Sequence, residues 1–199
     1  MECAAILAGG KSSRMGREKA LLRLDGQPLV ARIVAVLQPI FPQICVVTSS
    51  KEVARAAHCA AVGDRFEGRG PLNGIHAALD HFRAPTFVVA CDMPWLCADF
   101  IRFLSCNFRS DDFESDALVP LGENGAESLH AIYSPRCAPI FEELLIANPK
   151  TPPMRRVLEA IETRFVPLQT AREFDPALCG FTNCNTPEEF ETATQFHKK

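Results

Sequence analysis

Short apolar runs alternate along the chain with longer stretches whose apolar residues recur every three to four positions. The runs cover residues 4–8, 44–48, 86–90, 117–120 and 129–133. Several of them lack a polar face altogether, which predicts strands covered on both sides of a sheet. After the first run, Pro28 suits the first turn of a helix, and Leu29, Val30, Ile33, Val34 and Leu37 share one face of it. Further helices are predicted over 51–57, 72–82, 98–105, 135–147, 153–161 and 187–195. Ser134-Pro135, Thr151-Pro152 and Thr186-Pro187 each place a capping residue before proline, and Glu189 completes a capping box with Thr186. This alternation predicts an α/β three-layer sandwich built on a mostly parallel sheet. Residues 106–116 and 121–128 are polar and irregular, and read as loops. With no internal repeat and no low-complexity linker, residues 1–199 read as one domain.

Composition narrows the partners. A formal net charge of -3 over 199 residues gives no global attraction to nucleic acid or to an anionic membrane, so any positive site is local. No run approaches the roughly 20 apolar residues that span a bilayer. The first residues run into Gly9-Gly10 without a basic leader. The nine cysteines are odd in number and form no Cys-x-x-Cys pair. They read as reduced, mostly buried thiols, which predicts a cytoplasmic protein.

The first apolar run leads directly into Gly9-Gly10. Glycine there lets the chain turn tightly and lets an oxyanion approach bare amides. Lys11, Arg14, Arg17 and Lys19 then bring four cations within nine residues of an acidic chain, offset by Glu18. Such a cluster is a footprint for polyphosphate. Gly10-Lys11-Ser12 imitates the end of a Walker loop, but the glycine required five residues earlier is Ala5. The dinucleotide pattern Gly-x-Gly-x-x-Gly is absent too. Taken alone, the loop also fits a solvated turn.

Three later segments carry chemistry. Asp64 precedes Gly68-Arg69-Gly70-Pro71-Leu72-Asn73-Gly74, a rigid turn that would aim helical amides at a ligand. Asp92 follows the most apolar run and can coordinate a hard cation; an Asx turn before Pro94 is the plain alternative. Thr182-Asn183-Cys184-Asn185-Thr186-Pro187 reads as a strand end feeding a capped helix.

Leu7-Ala8-Gly9-Gly10-x-Ser12-x-Arg14-Met15-Gly16-x-x-Lys19, followed in order by these three segments, resembles the molybdenum cofactor guanylyltransferases, the MobA family of nucleotidyltransferases. The resemblance implies a Rossmann-like nucleotidyltransferase fold that transfers GMP from GTP to the phosphate of molybdopterin and releases pyrophosphate. It implies catalysis by Arg14, Lys19 and Asp92. GTP would be held by Leu7, Ala8, Gly9, Gly10, Lys19, Asp64, Gly70, Pro71, Leu72 and Asp92, with Mg²⁺ on Asp92 and Asn185. His130, Arg155 and Asn183 fall to the acceptor side, with transient contact to other cofactor-assembly proteins. A histidine in a strand is otherwise a structural residue, and Arg155 and Arg156 are otherwise solvated.

The sequence departs from the family at Glu18, where an aspartate is common, and at Glu127-Ser128-Leu129, where relatives often carry Gln-Pro-Leu. Asn183 and Asn185, where CTP-using relatives have aspartates, favour GTP, as does the Gly9-Gly10 pair. The competing readings are a related transferase using CTP or a sugar-phosphate acceptor, and a catalytically silent nucleotide-sensing module.

Overall fold

The structure, a computed structural model, describes residues 1–9, 18–66, 70–109, 115–148 and 150–184. Gly10, Lys11, Arg14 and Arg17, Gly68 and Arg69, Asn185 and the predicted 187–195 helix lie outside the described residues. One large sheet runs in the order β10 (Thr163–Pro167), β7 (Ala117–Gly122), β9 (His130–Tyr133), β6 (Thr86–Ala90), β1 (Cys3–Leu7), β4 (Gln43–Val47) and β5 (Ala60–Val62). A short β8 (Gly125–Ala126) folds back on β7, and β2 (Arg23–Leu24) with β3 (Gln27–Pro28) makes a separate hairpin. β1 pairs in parallel with both β4 and β6, whereas β9 runs antiparallel to β6 and to β7.

Helices cover both faces. On one side α1 (Leu29–Leu37), α2 (Lys51–Ala57), α4 (Ala98–Arg109) and α7 (Leu168–Ala171) pack on Ala4, Ile6, Val46, Phe87 and Val89. On the other, α3 (Gly70–Phe82), α5 (Cys137–Ala147) and α6 (Met154–Glu159) pack on Ala5, Leu7, Val47, Val88 and Val119. The strict alternation along β1 is the period-2 signature of a strand with two buried faces. All five residues of β1 and of β6 are buried, so the three-layer reading of the apolar runs is met residue by residue. Among the described residues no helix is long and apolar enough to cross a membrane. All nine cysteines are free, and burial pushes the Cys45 and Cys137 thiols up to about 12.

Several predicted boundaries move. Residues 106–109, read as loop, continue α4, and 121–126 form the end of β7 and its hairpin with β8. Thr151 does not cap α6; Pro153 stands at that position without a side-chain bond. β5 and β10 were not foreseen from the apolar pattern. β5 has only three residues, none buried, and β10 is an edge strand that carries Arg164 and ends on Pro167.

His130 begins β9 and is wholly buried among Phe87, Phe100 and Phe181, with ring centroids 5.3, 5.9 and 4.5 Å away. Neither ring nitrogen has a hydrogen-bond partner, and burial drives its pKa down to about 3. In the unfolded chain the ring takes a proton near pH 6.5, so this residue's contribution is intact above 6.5 and is lost as pH falls toward 3. Between pH 7 and pH 5 that loss amounts to about 2 kcal/mol. His130→Leu should therefore lose about 2 kcal/mol less than wild type over this interval in urea unfolding. Parallel curves for the two proteins would refute the assignment.

Candidate active site

The carboxyl ends of β1, β4 and β6 are where the sheet opens. Ala8 N donates to Val47 O at 3.0 Å, and Cys91 N donates to Leu7 O at 3.1 Å. These bonds hold three chains together up to the point where their loops part. A crevice at such strand ends is the usual ligand position in an open α/β sheet. Leu7 is buried, Ala8 half-buried and Gly9 exposed, so the chain from β1 climbs into the crevice before residues 10–17.

Beyond that segment, Lys19 opens a single 3₁₀ turn, Lys19–Leu21. Its Nζ stands 3.6 Å from Asp92 Oδ2, with 25% and 21% of the two side chains exposed. Both groups are half-open to solvent, so an incoming polyanion or cation can reach them. Glu18, the substituted position, accepts a 2.7 Å hydrogen bond from Ser50 Oγ. Ser50 in turn caps α2 by accepting from Val53 N. The helix start thus fixes the residue preceding Lys19.

Asp64 follows β5 and faces Gly9; a Cβ placed on Gly9 would stand 3.4 Å from Asp64 Oδ2. The other oxygen, Oδ1, is buried and has no partner, and burial raises this carboxyl above its ordinary range. An acceptor left without a donor is costly in a folded chain, and a ligand N–H or O–H would relieve it. Asn73, fully buried in the first turns of α3, sets the loop after Asp64 in place. Its Oδ1 accepts from Phe66 N at 3.3 Å and its Nδ2 donates to Phe66 O at 2.5 Å. Gly70 adopts φ +63°, which allows the turn into α3, and Gly74 lets that helix approach β1 until a Cβ would meet Leu7 at 3.1 Å. Gly70 and Pro71 are exposed at the helix start, whereas Leu72 is fully buried in the core.

The turn bearing Asp92 is braced from three directions. Met93 N donates to Ala90 O, and Arg32 Nε of α1 donates to Pro94 O at 3.2 Å. Cys184 N donates to Asp92 O at 2.9 Å, and its side chain is buried with Leu24, Leu29 and Trp95. The segment 182–184 therefore returns to the Asp92 turn, with Asn183 exposed beside it. Cys91, next to the carboxylate, has its thiol pushed up to about 12, first by burial and then by Asp92, so it stays protonated. Arg32 carries no motif; only the long-range contact reveals it.

Lys19, Asp92, Gly9, Asp64 and Asn183 thus gather along one edge. His130 does not reach it through its ring, which lies inside the core. Arg155 is exposed on α6 and pairs with Glu159 at 3.7 Å. Among the described residues no group of three acidic, histidine or cysteine side chains could cage a metal by itself. A cleft of about 710 Å³ opens at the opposite end of the sheet, where β7 and β10 begin, lined by Asp116, Arg136 and Glu162 among others. Asp116 and Arg136 pair there at 3.0 Å, and none of the described motif residues lines it.

Comparison with known proteins gives the chain its relatives. The family model described as the MobA-like NTP transferase domain matches residues 4–165. A probable molybdenum cofactor guanylyltransferase of Peptoclostridium acidaminophilum is 32% identical over 96% of this chain and 88% of that protein. Another, from Methanothermobacter thermautotrophicus, is 33% identical over 95% of this chain and 97% of its own. The crystal structure of molybdopterin-guanine dinucleotide biosynthesis protein A from Archaeoglobus fulgidus superposes with a TM-score of 0.84, at 28% identity and 98% coverage of both chains. A cytidylyltransferase from Thermus thermophilus shares the fold at 12% identity, with a TM-score of 0.67 and 100% coverage of both chains.

The Asn73–Phe66 pairing makes a direct prediction. Asn73→Ala leaves the Phe66 amide and carbonyl without their partner and should cost about 1–3 kcal/mol in chemical denaturation. A change below about 0.5 kcal/mol, the range of neutral surface substitutions, would show that the pairing does not hold the loop.

Proposed function

The chain belongs to the MobA-like NTP transferase family, and on that premise we propose that it transfers GMP from GTP to the terminal phosphate of molybdopterin. The observation that carries the reading is the Lys19–Asp92 pair at the strand-end crevice of a chain similar to guanylyltransferases over nearly its whole length. A phosphate oxygen of the acceptor forms a bond to the α-phosphorus of GTP. The bond from that phosphorus to the β-bridging oxygen breaks, and pyrophosphate leaves with the electron pair. The acceptor phosphate, with a second pKa near 6, is already largely ionised near neutral pH, so no general base is needed. The protein's task is to hold two anions in line and offset their repulsion.

Lys19 offers an ammonium that can exchange its carboxylate partner for triphosphate oxygens, with Arg14 as the second cation. Gly9, exposed at the end of β1, would offer its backbone amide to the phosphates, a role the reading also gives to Gly10. Asp64 offers its unpaired oxygen to a donor on the nucleoside, beside the exposed start of α3 at Gly70 and Pro71. Mg²⁺ is commonly held by one or two carboxylates together with substrate phosphates and waters, and a lone, half-open Asp92 fits that donor set. Asp92, with Asn185, would hold the ion. Bound there, Mg²⁺ would supply charge stabilisation to the phosphates. Asn183, beside Asp92, stands toward the acceptor. The asparagines at 183 and 185 support GTP over CTP. A cytoplasmic setting, with transient contact to proteins that supply or receive the cofactor, completes the proposal.

Pyrophosphate release with GTP, Mg²⁺ and molybdopterin tests it. Asp92→Ala and Lys19→Ala should each slow turnover by about 100-fold or more, the scale of losing one preorganised charge contact. If both stayed within about threefold of wild type, under 1 kcal/mol of barrier, the mechanism would fail. Calorimetric competition in which CTP outbinds GTP would overturn the choice of donor.

A further inference from the structure

The Lys19–Asp92 pair joins two separately built pieces of chain. Lys19 opens a local unit in which Leu22 N donates to Lys19 O at 3.0 Å and Leu29 N donates to Leu22 O at 2.9 Å across the β2–β3 hairpin. α1 follows that hairpin at once. Asp92 belongs to the turn that leaves β6 and runs through Met93 and Pro94 to Trp95. The pair itself is a poor spacer between the two pieces. It is 3.6 Å long and half-open to solvent, and ion pairs of that kind hold geometry weakly. It also has to open when Lys19 exchanges Asp92 for phosphate oxygens, which is when the spacing matters most.

One polar side chain spans the same two pieces without being consumed. Arg32, in the first turn of α1, is half-buried. Its Nε donates to Pro94 O at 3.2 Å, and its Nη1 stands 3.9 Å from Asp25 Oδ2 in the hairpin turn. Pro94 is buried, so without that donor its carbonyl would have little water to turn to. Asp25 is itself held: it and Gly26 take φ of +50° and +81°, and the Arg23 guanidinium closes the hairpin by donating to Gly26 O. A guanidinium is planar and presents its donors in a fixed fork, so one group addresses both partners at a set angle. Apolar contact adds to this, as Leu24 and Leu29 of the first piece pack with Trp95 and Cys184. Such packing is non-directional; it draws the pieces together without fixing how the turn is rotated.

We propose that Arg32 is a positioning residue for nucleotidyl transfer, a strut that keeps the Asp92 turn at a fixed distance from the Lys19 unit while Lys19 changes partners. The inference rests on the guanylyl-transfer reading, which gives Lys19 to the phosphates and Asp92 to Mg²⁺. Arg32 acts through Pro94 on the carboxylate two residues earlier, and not on substrate. Without it, Asp92 no longer meets a triphosphate seated on Lys19 in a single arrangement. A displacement of about 1 Å is enough to cost a reaction about 100-fold.

The test uses the full chain and three variants. Arg32→Met keeps the length and removes every donor, Arg32→Lys keeps the charge but not the fork, and Asp25→Asn frees the outer end alone. Thermal melts check folding, and amide exchange reads the strut directly. In Arg32→Met the Met93 and Cys184 amides, which donate to Ala90 O and Asp92 O, should exchange about tenfold faster or more, with Ala5 and Ile6 of β1 within about twofold of wild type. In turnover, the Mg²⁺ half-saturation should rise and kcat should fall, each by about tenfold or more. GTP affinity measured by calorimetry without Mg²⁺ should stay within about twofold of wild type, because the groups on the Lys19 side are untouched. Asp25→Asn should move the same quantities in the same direction by less. Unchanged exchange at Met93 and Cys184 would overturn the strut. Full recovery in Arg32→Lys would overturn it in favour of a general positive charge, and an equal loss of metal-free GTP affinity in favour of a global structural role. Wild-type protein that releases no pyrophosphate from GTP with molybdopterin would sink the parent reading instead, and the exchange rates would still decide whether Arg32 holds the turn.

Discussion

Everything in the site hangs from β1. It is hydrogen-bonded on both edges, to β4 and to β6, and covered on both faces, so its carboxyl end cannot shift without disturbing four layers of contact. Small residues at Ala4 and Ala5 let helices from both sides press close. The last bonds, Ala8 N to Val47 O and Cys91 N to Leu7 O, end where three loops diverge. A polar chain can leave a dry sheet only at such an end, because backbone groups there regain solvent or ligand partners. The fold thus creates the crevice and fixes the positions of Gly9 and Asp92 relative to each other by one and the same set of bonds.

The carboxylates distributed along this edge differ in what surrounds them. Asp64 is half-buried against Gly9 with one oxygen unpaired, Asp92 shares its oxygen with Lys19, and Glu127, half-buried before β9, has its carboxyl raised by burial. In sheet order they fall to either side of β6 and beside it. An acidic chain with a net charge of -3 can present phosphate-binding character only by such local pairing of cations with carboxylates. The buried thiols take no part, since burial keeps Cys45, Cys91 and Cys137 protonated.

What could be read from the sequence divides by the range of the interaction. β1, β4, β6 and β9, and the apolar face of α1, follow from local periodicity, because burial on two faces or on one leaves a regular residue pattern. That Gly9, Lys19, Asp64 and Asp92 meet at one edge was legible because each lies in a short segment near a strand end, and strand ends bring such segments together. The bracing was not legible. Arg32 reaches Pro94 across 62 positions, Ser50 reaches Glu18 across 32, and Asn73 grips the backbone of Phe66. Nothing in the periodicity of either partner announces these bonds. β10 was hidden for a related reason: an edge strand needs no continuous apolar run. His130 shows the limit of residue type as a guide, since an imidazole can serve as an aromatic filler among Phe87, Phe100 and Phe181.

The contact between Gly74 and Leu7 carries a consequence for reshaping the protein. Helix α3 stands so near β1 that the first carbon of any side chain at 74 would meet Leu7 at 3.1 Å, leaving a tolerance of a few tenths of an ångström. The spacing between α3 and the central strand is therefore set mechanically, by what is missing rather than by what is attached. An engineer wishing to widen the crevice has little freedom in that helix. The adjustable part is the loop from Asp64 to Phe66, clasped by Asn73 and by the exposed Arg65–Glu142 ion pair. Libraries directed there would vary the wall of the crevice beside Gly9 while β1 and the Asp92 brace keep their distances.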